Sequence, residues 1–306
     1  VTTRKRILVI ANPTAGSCSR RRLEQVVASL TKRSCSVSLY ETKTSGDAER
    51  FIAKTDCAHF DAIAVAGGDG TINEVLNGLP KGGPPLAILP LGTVNVLAKE
   101  IGLPRSIDDI AETVTLGPSR PISIGEANGR RFLMMASVGL DASVVENVDL
   151  NLKRHIGKWA YLYEILKQII VSPPRSYRLR IDDSEHNVGG VVVANGRHYA
   201  GRFVTAPTAD LEKPRLDICS LACLGRLAST SYLISLALGR FAERTDVRID
   251  EATDLEILGP PGAPLQADGE LLCRLPANIR IVPKAVNLIF PVSTQRQACR
   301  HKHVTC

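Results

Sequence analysis

A chain of 306 residues exceeds the usual size of one domain and can bury a sizeable core, so two domains are expected. Its net charge of +7 suits an anionic partner, but Phe, Trp and Tyr make up only 4% of it, too few for the aromatic-laced basic stripe that holds nucleic acid, and no nucleic-acid partner is expected. Eight cysteines without a CxxC pair exclude a disulfide framework and point to reduced thiols in a cytoplasmic setting.

Arg4-Lys5-Arg6 precedes the apolar run Ile7–Ala11, which is too short for a signal peptide and reads as a buried strand ending at Asn12-Pro13. A helix follows, with Leu23, Val26, Val27 and Leu30 on its apolar face and Arg20-Arg21-Arg22 on a solvated one. Cys35, Val37 and Leu39 alternate with polar residues and predict a second strand. Thr44 and Asp47 resemble a capping box opening the next helix.

The apolar strand Asp61–Ala66 then enters Gly67-Gly68-Asp69-Gly70, and an amphipathic helix with Ile72, Val75, Leu76 and Leu79 follows. Three glycines in four residues let a backbone approach a ligand closely, and the helix N-terminus favours an anion. Thr71 is expected to cap that helix. Asp69 is the exception, because a carboxylate beside phosphate is repulsive unless a divalent cation or a proton transfer lies between them. A further strand, Leu86–Leu89, leads through Pro90-Leu91-Gly92-Thr93 into another helix. Strand and helix alternate to about residue 116, which implies a parallel sheet with ligand-binding loops beyond its carboxyl ends.

After the proline-containing segment 117–121 the pattern becomes β-rich, with strands expected at 121–127, 131–137, 188–195, 203–207, 216–221, 245–258, 264–275 and 278–290, and helices at 154–171 and 226–240. The expected fold is thus an α/β N-terminal nucleotide-binding domain with a parallel sheet, residues 1–121, plus a mainly antiparallel β-sandwich, residues 122–292, and a tail, 293–306. No stretch approaches the roughly 18 apolar residues of a membrane span, so any membrane contact is peripheral. In the tail, Cys299, His301, His303 and Cys306 are crowded into a few residues and read as a frayed end ahead of a structural metal site. The helix at 154–171 sets Lys153, Arg154, His155, Lys158 and Lys167 beside Trp159, Tyr161 and Tyr163, so it is either an interfacial helix or one packed on the sandwich. Asp268-Gly269 between apolar runs reads as a type I′ hairpin turn that either leaves Glu270 in water or projects a carboxylate toward a site.

The phosphate signal fits neither a Walker loop nor the GxGxxG of dinucleotide oxidoreductases. The full run Gly67–Leu79, with Asn12-Pro13 and Leu89–Asn95, resembles the diacylglycerol kinase catalytic family in its bacterial soluble branch. The likeness continues through Val138–Ala142, Tyr199–Arg202, Ala206-Pro207 and Asp268–Glu270. It implies a two-domain lipid-kinase architecture and a kinase that uses ATP and Mg²⁺ to phosphorylate a lipid hydroxyl, most simply diacylglycerol to phosphatidic acid. A cytoplasmic enzyme peripherally associated with the membrane is implied, with a homodimer as a candidate assembly.

Carried over by that resemblance, nucleotide contacts fall on Asn12, Thr44, Gly67, Gly68, Asp69, Gly70, Thr71, Ile72, Asn73 and Thr93. The same likeness makes Asp69 a metal-linked residue acting through Mg-nucleotide, and Glu270 the base, with Asp268 its competitor. Three positions depart from the family pattern: Val96 and Ser123 replace acids of the magnesium-linked network, and Glu212-Lys213-Pro214 replaces a metal-binding Asp-Asp-Gly loop. The rival readings are an NAD kinase-like enzyme, whose family shares GGDGT, and a catalytically inactive nucleotide- or lipid-binding protein.

Overall fold

The computed structural model describes residues 3–14, 20–92, 95–148, 158–171, 175–182, 184–222 and 225–292, with backbone alone for 158–162. The chain forms two compact units, Val1–Ile122 with Lys284–Cys306, and Ser123–Pro283.

In the first unit β1 (Arg6–Ala11), β2 (Ser36–Glu41), β3 (Ala62–Gly67) and β4 (Leu86–Pro90) alternate with α1 (Arg20–Lys32), α2 (Asp47–Lys54) and α3 (Asp69–Gly78), and α4 (Val96–Glu100) and α5 (Ile107–Leu116) follow. The strands lie side by side in the order β2-β1-β3-β4, every pair parallel. β1, β3 and β4 are near-continuous runs of Ile, Leu, Val and Ala because helices cover both faces of such a sheet. On one face Leu23, Val26 and Leu30 of α1 and Ile110, Ala111 and Val114 of α5 close over Ile7, Val9, Ala64 and Ala87. β2 is the edge strand and is covered less, so Leu39, expected to point inward, is 48% exposed.

The second unit contains β5 (Ser119–Ala127), which enters it from the first, then β6 (Arg130–Phe132), β7 (Met135–Val138), α6 (Leu140–Asn147), α7 (Lys158–Val171), β8 (Tyr177–Ile181), β9 (Ser184–Val188) and β10 (Gly190–Ala194). The hairpin β11 (His198–Tyr199) and β12 (Phe203–Val204), β13 (Leu216–Leu221), α8 (Arg226–Ala237), β14 (Val247–Ala252), β15 (Asp254–Gly259), β16 (Pro264–Ala267), β17 (Glu270–Arg274) and β18 (Ala277–Ile289) follow. One sheet runs β14-β13-β10-β7-β16-β17; in the other, β18, β15, β8 and β9 pair in that order and β5 joins β18. Alternating side chains of both sheets, among them Phe132, Tyr177, Leu179, Val191, Ile218, Ile257, Leu265 and Ile279, form one core, as in a β-sandwich.

Several expectations change. The pattern placed residues 284–290 in the sandwich, yet they belong to the first unit, where Leu288 pairs in parallel with Leu86 and the Phe290 N–H donates to Pro118 O at 2.9 Å. Residues 245–258 are two strands, β14 and β15, and α6, β8 and β9 are additional elements. α2 opens at Gly46 in the left-handed region with no side-chain cap of its own, so Thr44 and Asp47 form no capping box. α3 opens at Gly68, and Thr71 lies buried in its first turn instead of capping it. The Cys299–Cys306 cluster and the tail fall outside the described residues.

Asp61 clamps the start of β1. Its carboxylate accepts from the backbone N–H groups of Lys5 and Arg6 at 2.8 and 2.9 Å and from Arg6 Nη2 at 2.8 Å. These bonds, that from the Arg6 guanidinium foremost, lower its pKa from 3.8 to about 2. A depressed carboxylate stabilises the fold above its unfolded pKa and loses that contribution as pH falls through its folded one. The stability gap between wild type and Asp61→Asn in urea titrations should therefore be constant near neutrality and shrink as pH falls from the unfolded value of 3.8 toward about 2. A gap unchanged across that window would contradict the clamp.

Candidate active site

The glycine turn is short: β3 ends at Gly67 and α3 begins at Asp69, with Gly68 alone between them at φ −95 and ψ −177. The first-turn N–H groups of α3 therefore emerge at the carboxyl end of the parallel sheet, where an anion is favoured. A Cβ on Gly67 would lie 2.7 Å from Thr71 Oγ1, so the turn admits no side chain there. A Cβ on Gly92 would lie 2.6 Å from Gly68 Cα, and the Gly92 N–H donates to Gly67 O at 3.1 Å, so the two loops touch backbone to backbone. Among the described residues a Cβ on Gly68 would meet nothing within 4 Å. That side of the turn is open.

Asn12 joins the same cluster: its Nδ2 donates to Thr71 Oγ1 at 3.2 Å, and its Oδ1 accepts from the Thr14 N–H and hydroxyl. The loop holding Thr44 is drawn to α3 by Glu74, whose carboxylate accepts from the N–H groups of Gly46 at 2.8 Å and Ala48 at 3.1 Å and so caps α2 from a neighbouring helix. Asn12, Gly67–Asn73 and Gly92 are thus brought together, with Thr44 tethered through Glu74. Thr93 lies outside the described residues.

Asp69 caps another helix. Its oxygens accept from the Val96 N–H at 3.1 Å and the Leu97 N–H at 3.4 Å, the first turn of α4. The donors are backbone N–H groups, so the bond holds the start of α4 whatever side chain stands at position 96. Beside it Asn95 sits at φ 48, its Nδ2 donating to Gly92 O at 2.7 Å while its buried Oδ1 has no hydrogen-bond partner among the described residues. A Gly68 face that would accept an added atom and an unpartnered buried oxygen at the neighbouring turn fit a phosphate group with its cation.

In the second unit Asp268 at φ 51 and Gly269 at φ 86 form the two-residue turn between β16 and β17, as a type I′ hairpin requires. Asp268 Oδ2 accepts from the Leu133 N–H at 2.7 Å, and Oδ1 from those of Met134 at 2.9 Å and Met135 at 3.1 Å. Its carboxylate is committed to the backbone between β6 and β7. Gln266, 3% exposed, braces the turn through Oε1, which accepts from the Gly269 N–H at 3.0 Å. Glu270, the first residue of β17, is exposed.

Gln266 also ends a polar cluster absent from the sequence-based site. Its Nε2 donates to Ser137 Oγ and, at 3.4 Å, to Asp141 Oδ2, which also accepts from Ser137 and from the Tyr199 hydroxyl at 3.2 Å. Burial pushes the Asp141 pKa up against those four hydrogen-bonding groups, one of them the Ala142 N–H, and burial beside Asp141 raises that of Tyr199 well above its ordinary value. The signal was present, since both residues lie within the segments 138–142 and 199–202 that carried the family likeness.

The other two departures have structural accounts. Ser123 is buried on β5, its N–H bound to Leu211 O and its carbonyl to Asn195 Nδ2. Lys213, where an acidic loop was expected, places its ammonium 3.5 Å from Thr208 O. No cluster of three or more metal-ligating side chains occurs among the described residues.

An α/β unit with a glycine turn at the carboxyl end of its parallel sheet, followed by an antiparallel sandwich, is the architecture of two-domain phosphotransferases. Residues 6–127 match the model of the diacylglycerol kinase catalytic domain, and residues 134–290 that of the YegS C-terminal NAD kinase beta sandwich-like domain. A diacylglycerol kinase of Bacillus subtilis (strain 168) is 28% identical over 96% of this chain and 99% of its own length, and one of Staphylococcus saprophyticus is 28% identical over 94% and 96%. A crystal structure of a diacylglycerol kinase from Bacillus anthracis str. Sterne has the same fold, with a TM-score of 0.79 at 24% identity over 96% of this chain and 100% of that one. The chain belongs to the diacylglycerol kinase catalytic family and is, at the level of that family, an ATP-dependent lipid kinase.

The open side of Gly68 gives a direct test. Gly68→Ala adds one methyl where the protein has room, so unfolding stability should stay within about 1 kcal/mol of wild type, while the KM for ATP rises by about tenfold or more as the methyl enters the ligand's space. An unchanged KM would remove Gly68 from the nucleotide contact.

Proposed function

We propose that this chain transfers the γ-phosphoryl group of ATP to the free hydroxyl of diacylglycerol, giving ADP and phosphatidic acid. The glycine turn carries the reading: phosphate oxygens approach the open side of Gly68 and accept from the first-turn N–H groups of α3, while Asn12, Thr71 and Gly92 keep that backbone in place. Mg²⁺, when bound with the nucleotide, neutralises charge on its phosphate oxygens. Asp69 steadies that ion indirectly, since its carboxylate is already engaged by α4, and the Asn95 amide oxygen is a further neutral acceptor.

The acceptor hydroxyl must lose its proton as its oxygen bonds to the γ-phosphorus and the bond to the β-phosphate oxygen breaks, releasing ADP. Of the two carboxylates at the hairpin, Asp268 has its oxygens engaged by three backbone N–H groups, which gives it a positioning role. Glu270 therefore takes the proton, and Asp268 and Gln266 hold the turn that aims it. Because the acceptor is a bilayer lipid, the enzyme works at a membrane surface from the cytoplasmic side, where ATP is supplied.

Kinetics with diacylglycerol in mixed micelles test the division of roles. Glu270→Gln should lower kcat by about a hundredfold or more with little change in the KM for ATP. Asp268→Asn should lose about 1–3 kcal/mol of unfolding stability, because it weakens three backbone bonds. A stable, inactive Asp268→Asn beside an active Glu270→Gln would transfer the base role to Asp268.

A further inference from the structure

Four polar residues from separate elements meet at one point of the second unit. Ser137 on β7 lies directly across from Gln266 on β16 in their antiparallel pairing, and both are buried. β7 passes through Gly139, at φ 121, into α6, and this turn sets Asp141, in the first turn of the helix, back against Ser137. Tyr199 reaches the same carboxylate from β11. Donors and acceptors give the cluster a single direction. The Gly269 N–H can only donate, so Gln266 turns its Oε1 to it, and its Nε2 is left facing Ser137 Oγ and, at 3.4 Å, Asp141 Oδ2. Ser137 Oγ accepts from Gln266 and gives its own hydrogen to Asp141 Oδ2, which also accepts from the Tyr199 hydroxyl, while Oδ1 accepts from the Ala142 N–H at 2.9 Å. Every link donates toward Asp141.

We propose that Asp141 is a positioning residue for the phosphoryl transfer: through Ser137 and Gln266 it fixes the Gly269 N–H, and with it the direction in which the next residue, Glu270, leaves the turn. A chain of donors needs an end that accepts several hydrogens at once, and a carboxylate, with room for about four, is the side chain suited to it. Without that end the buried donors of Ser137 and Gln266 lose their acceptor, which is the costly half of a broken hydrogen bond, and the Gln266 amide is released to turn away from Gly269. Asp268 anchors one residue of the two-residue turn to the segment Leu133–Met135, and Gln266 anchors the other. A reacting group displaced by about 1 Å costs about a hundredfold in rate, so this second hold acts on kcat. The proposal rests on the reading above that Glu270 takes the proton, and names what aims it.

The test uses the full chain and reads kinetics with ATP and diacylglycerol beside hydrogen exchange of the hairpin peptide 266–271, followed by mass spectrometry. Asp141→Ala and Gln266→Ala should each lower kcat by about tenfold or more with the KM for ATP unchanged, and should speed hairpin exchange by about tenfold. The double variant should be no slower than the slower single one, because both cut the same tether. Asp141→Asn, which keeps an oxygen to accept from Ser137 and Tyr199, should restore kcat to within about threefold of wild type. Ser137→Ala removes one hydroxyl with little change in volume and carries the test if Asp141→Ala does not fold; it should move both readouts in the same direction by about threefold or more. A folded Asp141→Ala with either readout at the wild-type level would overturn the proposal. So would losses that add in the double variant, or an Asp141→Asn as slow as Asp141→Ala. If Asp141→Ala loosens the hairpin and lowers kcat while Glu270→Gln keeps wild-type kcat, the tether stands and the assignment of the base to Glu270 fails.

Discussion

A single methyl group at position 92 would press to 2.6 Å of Gly68 Cα, and the contact between the two loops depends on the absence of that methyl. Because Gly92 can touch the glycine turn, its N–H bonds Gly67 O, and the start of α4 comes close enough for Asp69 to cap it. Because Gly67 has no side chain, Thr71 can fold back under the turn and meet Asn12. Three loops from separate strands are thereby locked into one surface whose open face lies at Gly68. These contacts hold the three loops against one another, and phosphoryl transfer asks a protein mainly to position groups and neutralise charge.

The thirteen residues Gly67–Leu79 do several jobs at once. Asp69 caps α4, Glu74 caps α2, Ile72, Val75 and Leu76 fill the core, and Gly78 lets α2 approach so closely that a Cβ there would reach 2.5 Å from Glu49 O. At the two positions where acids were expected, the Val96 backbone N–H bonds Asp69 and Ser123 is a buried strand residue. In the second unit two carboxylates two residues apart stand in different surroundings: Asp268 accepts three backbone N–H bonds and Glu270 is exposed.

Much of this was legible in the sequence. Strand and helix alternation with unbroken apolar strands gave the parallel sheet, and Asp268-Gly269 between apolar runs gave the hairpin, because both signals act over a few residues. What was not legible depends on contacts between distant positions. Glu74 capping α2, Asn12 meeting Thr71, Asp268 gathering the N–H groups of Leu133–Met135 and Gln266 linking Asp141 to Gly269 each join residues 26 to 135 positions apart. The helix at 154–171 read more readily as packed on the sandwich than as interfacial. Lys153, Arg154 and His155 and the side chains of Lys158, Trp159 and Tyr161 lie outside the described residues, and over Tyr163–Val171 the burial of Glu164 and Gln168 beside exposed Leu166 and Ile170 was not legible in the sequence. β18 reads as one long strand, and only its pairing with β4 reveals that its end leaves the sandwich unit.

The account stands or falls on what this chain phosphorylates. Purified protein incubated with ATP and Mg²⁺ in the joint presence of diacylglycerol and NAD, with products identified by mass spectrometry, addresses that directly. Phosphatidic acid formed in equal amount with ADP is the expected result. Formation of NADP, or of neither product while ATP remains bound, would contradict it.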